Sequence, residues 1–142
     1  MHKYRYFLLL FSAAIAVLFW IYFPICFENN DDQTMLAINS GMLTGVAAPF
    51  SFLSNIIIGK WIAYSFHLLP TFNWYSFYLE IILLLVFMVL CTYVLLIHKI
   101  ALLKAFLFIL ILFFGFFSWA IITPQFTTIA LFCSITSLFL YT

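Results

Sequence analysis

The residues able to do chemistry are few and unevenly placed. Three of the four carboxylates, Glu28, Asp31 and Asp32, fall in the most polar stretch of the chain, Glu28-Asn29-Asn30-Asp31-Asp32-Gln33. Adjacent carboxylates beside a membrane helix can act as a general base or hold a divalent cation. The plainer reading is an acidic loop kept in water. Lys60 and His67 lie two helical turns apart, on one face of a helix, where they can meet a phosphate. Alternatively, Lys60 reaches lipid head groups and His67 faces water. Glu80 is an acid near the start of a long apolar run, a position that marks a functional candidate or an ion-pair partner for Lys60. Cys26, Cys91 and Cys133 have no metal-ligand spacing and read as small membrane-embedded side chains. No metal site is assigned.

These residues must be positioned by membrane helices. Of the 142 residues, 68% are hydrophobic and only 6% are charged, against about a quarter charged in ordinary globular chains. A soluble domain of this length could not hide so much apolar surface. The formal net charge of +1 gives no field to recruit nucleic acid. Apolar runs over 6–27, 77–97, 105–122 and 126–141 each approach the roughly 20 residues that cross a bilayer. The first follows Met1-His2-Lys3-Tyr4-Arg5 and ends in bulky residues, so it reads as an uncleaved anchor rather than a signal peptide.

The segment 50–69 decides the topology. As a span it would bury Lys60 at a cost of about 2.5–3.5 kcal/mol. It would also put Lys99 and Lys104 on the opposite side from Lys3 and Arg5, against the positive-inside rule. The expectation is therefore an all-α polytopic membrane protein. Four transmembrane helices are joined by an outer loop, 28–76, that contains two interfacial helices, 34–43 and 50–69. The single membrane unit has its N-terminus in the cytoplasm, its acidic loop outside, and the bilayer as its first partner. Trp74, Tyr75 and Tyr78 read as an interfacial aromatic belt. The last run is thin, and further spans are expected to follow it.

The stretch Asn30-Asp31-Asp32-Gln33, the short segment ending at Gly41, Pro49, and Ile58-Gly59-Lys60-Trp61 through Trp74-Tyr75 together resemble the first outer loop of the GT-C class. These multi-spanning glycosyltransferases use polyprenyl-phosphate sugars. The resemblance is one of layout and short motif over roughly residues 6 to 97. Only one proline precedes the second interfacial helix, where many members have two, and members have more spans. It implies the amino-terminal portion of a bacterial plasma-membrane glycosyltransferase with a polyprenyl-phosphate-linked sugar as partner. Asp31 or Asp32 would be catalytic; Lys60, His67 and Glu80 would contact the donor; members differ on a divalent cation. The alternative is a non-enzymatic small membrane protein, such as a four-helix lipid-linked-sugar flippase or an accessory subunit.

Overall fold

The computed structural model describes residues 2–23, 27, 30–49, 56–97 and 100–141. Every regular element among them is helical: α1 (His2–Tyr22), α2 (Asn30–Ser40), α3 (Ile56–Leu68), α4 (Trp74–Thr92), α5 (Leu102–Leu112), α6 (Ser118–Ile122) and α7 (Phe126–Tyr141). Two wider π-helical stretches interrupt the long helices. Tyr93–Ile97 continues α4, and Phe113–Phe117 joins α5 to α6. Three of the resulting rods, Lys3–Tyr22, Trp74–Ile97 and Leu102–Ile122, are long and apolar enough to cross a membrane. The protein is an integral membrane protein.

Its surface fits lipid. On α1 the buried stripe is Arg5, Leu8, Ser12 and Ala16, while Tyr4, Phe7, Leu10 and Leu18 face outward. Polar and small residues thus turn inward and bulky apolar ones outward, the arrangement expected when the surroundings are hydrocarbon. Several hydroxyls within the helices bond to the carbonyl one turn back: Ser12 to Leu8 at 2.7 Å, Thr92 to Met88 at 2.8 Å, Ser118 to Phe114 at 3.1 Å and Ser134 to Ala130 at 2.8 Å, whereas the buried hydroxyls of Ser76 and Thr136 have no partner among the described residues. The four bonded groups are satisfied within their own helices and do not have to seek water that the bilayer core does not hold.

The core is a column of aromatics. Phe87 of α4 packs against Phe113 and Phe117 at ring-centroid distances of 5.5 and 4.9 Å. Phe19 of α1 meets Phe113 edge-on at 5.5 Å, and Phe132 of α7 stacks on Phe117 at 4.6 Å. Phe113 and Phe117 are therefore the hinge pins that link α1, α4 and α7.

Contacts at the helix ends give the directions. Trp20 near the end of α1 meets Phe77 near the start of α4 at 5.7 Å. At the other end, Arg5 donates to the carbonyls of Leu95 and Ile100. The two helices are thus antiparallel. Tyr93 meets Phe139 at 6.2 Å, so α7 runs alongside α4 in the same direction. One end of the bundle carries Lys3, Arg5 and Lys104. The other carries α2, α3 and every described carboxylate.

The loop helices differ in extent from the sequence expectation. The first begins at Asn30 rather than at residue 34 and ends at Ser40 rather than 43. The aspartates are its first turn, where a helix N-terminus favours negative charge. Gly41, at φ +83°, turns the chain out of the helix. The second covers Ile56–Leu68, and residues 50–55 of the expected 50–69 lie outside the described set. Asn73 starts α4 earlier than expected, because its side chain accepts from the Ser76 amide at 3.1 Å.

Gly59 sets how closely α3 approaches the preceding loop, because a Cβ there would fall on the Pro49 carbonyl. Gly115 faces open space. Gly59→Ala is expected to lower the unfolding temperature of the detergent-solubilised protein by several degrees. Gly115→Ala is expected to leave it unchanged or raise it. Circular dichroism during heating distinguishes the two.

Candidate functional site

The two aspartates are neighbours in sequence but lie in opposite environments. On α2 the buried positions are Asp32, Met35 and Asn39, the helical spacing of one face. That face docks on the start of α4. The Tyr75 hydroxyl donates to Asp32 Oδ1 at 2.7 Å and lies 3.6 Å from the Met35 sulfur. The first amide of α7, from Phe126, reaches the same Asp32 oxygen at 3.4 Å. Asp32 is 3% exposed and sits where α2, α4 and the N-terminus of α7 converge. Its negative charge there is matched by a hydroxyl donor and by the positive end of a helix.

Asp31 lies on the other side of α2 and is exposed. Among the described residues its carboxylate forms no hydrogen bond or ion pair. The structure therefore separates the pair that the sequence treats as one unit. Asp32 is held between helices, and Asp31 is exposed. Glu28 lies outside the described residues.

On α3, Gly59, Ile62, Ala63 and Phe66 are buried, while Lys60 and His67 are exposed with Tyr64 between them. Lys60 and His67 thus share the solvent- or headgroup-facing side of the helix, about 10 Å apart along its axis. Trp61, on the same helix, meets Trp74 edge-on at 6.1 Å, and Trp74 donates to the Leu69 carbonyl at 3.1 Å. These contacts hold α3 beside the head of α4.

Glu80 is placed apart from this surface. It is 4% exposed, and neither carboxylate oxygen has a hydrogen-bond partner among the described residues. The side chain borders a cavity of about 20 Å³ together with Ala16, Trp20, Phe87, Phe117 and Ile121. Pairing with Lys60 is not observed; the lysine is outside the bundle and the acid within it. Two other cavities lie between the helices, and of the five candidate residues only Glu80 lines any of the three.

Among the described residues no three metal-ligating side chains converge. Cys91 is buried and Cys133 half-buried, both as free thiols. The sequence reading missed Tyr75, which sits at 1% exposure beneath α2 instead of in an exposed belt. It also missed the buried Arg5. Tyr75 shares a register with the buried Leu79, Leu83 and Phe87, but α4 is apolar on all its faces, so no sequence signal marked that face as the inner one. Comparison with known protein families, with curated proteins and with solved structures finds no match.

Removing the Tyr75 hydroxyl leaves Asp32 buried with only the long Phe126 contact. Tyr75→Phe is expected to destabilise the protein by about 1–3 kcal/mol. Tyr78→Phe serves as the control one turn away and should change it little. Thermal unfolding in one detergent reads both.

Proposed function

We propose that this membrane protein carries the acidic outer-loop site of a glycosyltransferase that moves a sugar from a polyprenyl-phosphate donor to an acceptor hydroxyl. The observation that supports the reading best is the division between a buried, hydrogen-bonded Asp32 and an exposed Asp31 that has no partner among the described residues, at the acidic end of the helix bundle. A general base needs an unengaged carboxylate, held in place by something other than its own contacts. Asp32 supplies that hold, because it fixes the first turn of α2 and so the direction of Asp31.

In this reading α7 is a fourth span. Its 16 residues rise about 24 Å, close to a hydrocarbon core of about 30 Å. The 13 residues of α3 rise only about 20 Å and carry an exposed lysine, so α2 and α3 occupy the outer interface. The end bearing Lys3, Arg5 and Lys104 faces the cytoplasm by the positive-inside rule, and the acidic end faces outward.

The chemistry follows from that placement. Asp31 takes the proton of the acceptor hydroxyl as its oxygen attacks the anomeric carbon. The bond from that carbon to the phosphate oxygen breaks with inversion, and the electron pair leaves on the polyprenyl phosphate. Lys60 and His67, on the outer face of α3, meet the phosphate as its charge grows. The donor's tail stays in lipid while its sugar reaches water, which is why such a base belongs at the interface. Any divalent cation would have Asp31 as its available ligand.

The second reading, a carrier for lipid-linked sugars, is favoured by one observation: Glu80 is an acid among the helices with no partner among the described residues, where a carrier keeps its polar groups. In that case Glu80→Gln stops movement of the lipid and Asp31→Asn does not.

The test is sugar transfer in membranes with Asp31→Asn and Asp32→Asn. Asp31→Asn is expected to lower transfer at least 100-fold with an unchanged unfolding temperature. Asp32→Asn is expected to lower both. Full transfer by the Asp31 variant removes the proposal.

A further inference from the structure

The acid that the surface site leaves aside lies inside the bundle. Glu80 is 4% exposed, and both of its carboxylate oxygens lack a hydrogen-bond partner among the described residues. It sits about 9 Å along α4 from Trp74, within the long apolar rod Trp74–Ile97. One turn nearer the end that carries α2 and α3, Ser76 occupies the same face of α4 at 1% exposure. Its hydroxyl oxygen also has no partner among the described residues. Adjacent turns of one helix face thus hold three buried polar atoms that no described side chain satisfies.

Glu80 borders the cavity of about 20 Å³ where α1, α4 and α6 meet. Ala16 and Trp20 line it from α1, Leu83 and Phe87 from α4, and Phe117 and Ile121 from α6. None of these side chains ionises, so neither neighbouring helix brings a counter-charge. On α4 itself Tyr75 is committed to Asp32, and Tyr78 does not line the cavity.

Size and chemistry together limit the occupant. A space of about 20 Å³ takes one water molecule, and a water needs two or more polar partners. A calcium or magnesium ion requires about six oxygens or more, and here Glu80 alone among the lining side chains supplies any. A proton needs no such shell. As a carboxylic acid, Glu80 donates one hydrogen bond and keeps an oxygen to accept another. As a carboxylate in these walls it would have no donor at all, the costly state for a buried charge.

We propose that the Glu80 cavity is a proton-binding site within the membrane, in which the carboxylic acid of Glu80 bonds to one enclosed water. The carboxylate takes a proton from hydronium at the end that carries α2 and α3. The proton passes Ser76 and the enclosed water, leaves water behind, and returns by the same route. The site stands whichever of the two functions the chain performs, and its test involves no sugar.

Infrared absorption of the full chain at neutral pH tests the site, in a maltoside detergent that has no carbonyl of its own. The chain has two glutamates, Glu28 and Glu80. Glutamate labelled with carbon-13 at the side-chain carboxyl, incorporated by cell-free synthesis, therefore reports on those two alone. The expected result is a carboxylic-acid C=O band that moves with the label, shifts to lower frequency in heavy water, persists in Glu28→Gln and is lost in Glu80→Gln. Ala16→Val fills the cavity and should keep the acid band but raise its frequency, because the bond to water is gone. Carboxylate bands alone in the labelled chain overturn the proposal, as does an acid band that survives Glu80→Gln. An acid band unmoved by heavy water, or one whose frequency ignores Ala16→Val, overturns it as well. The labelled Glu28→Gln chain keeps the test decisive if Glu80→Gln fails to fold.

Discussion

The carboxylate of Asp32 is the point on which the polar end of the molecule depends. It accepts the Tyr75 hydroxyl from α4 and lies against the first amide of α7. Elsewhere α2 packs against α3, Met35 lies beneath the tyrosine, and the Asn39 amide is taken up within the helix, donating to the Met35 carbonyl at 2.8 Å. A helix of 11 residues with so little apolar surface would not hold its place in water or at an interface by propensity alone. One buried, charge-assisted hydrogen bond gives it a fixed rotation. Asp31 inherits its outward direction from that bond.

At the opposite end Arg5 plays the corresponding part. A guanidinium with five donors meets the carbonyl of Leu95, in the π-helical end of α4, and that of Ile100 beyond it, and so a charge that would be costly among helices becomes a clamp. The molecule is thus polarised. An acid fixes the helices at one end and a base fixes them at the other, while the phenylalanine column of Phe87, Phe113 and Phe117 fills the space between. Exposed charges flank each anchor: Asp31 and Lys60 at one end, Lys3 and Lys104 at the other.

Much of the architecture was legible in the sequence, because a run of apolar residues long enough to cross a bilayer has few alternatives to a helix. The start of α7 at Phe126, after Thr123-Pro124-Gln125, could be read directly from the proline. The inward faces could not. In α4 the side chains facing the core and those facing lipid are alike apolar, so Leu79 and Leu83 cannot be told from Leu85 by type. Tyr75 was obscured for the same reason, since a tyrosine at a helix start suits the membrane boundary as well as the core. The π-helical stretches leave no mark, as Phe113-Phe114-Gly115-Phe116-Phe117 is only another aromatic run. The aspartates were visible as a pair, but what separates them is the 100° turn between adjacent helical residues, and that depends on where α2 begins.

The account rests on α2 being docked by its Asp32 face with Asp31 turned to the outer solvent. Cysteine accessibility measures this directly, in a background free of the native cysteines and with a membrane-impermeant maleimide added outside. Asp31→Cys should be labelled rapidly from outside, and Met35→Cys, one turn along on the buried face, only after unfolding. Equal labelling of the two, or protection of position 31 from the outside reagent, would contradict the docked helix and everything built on it.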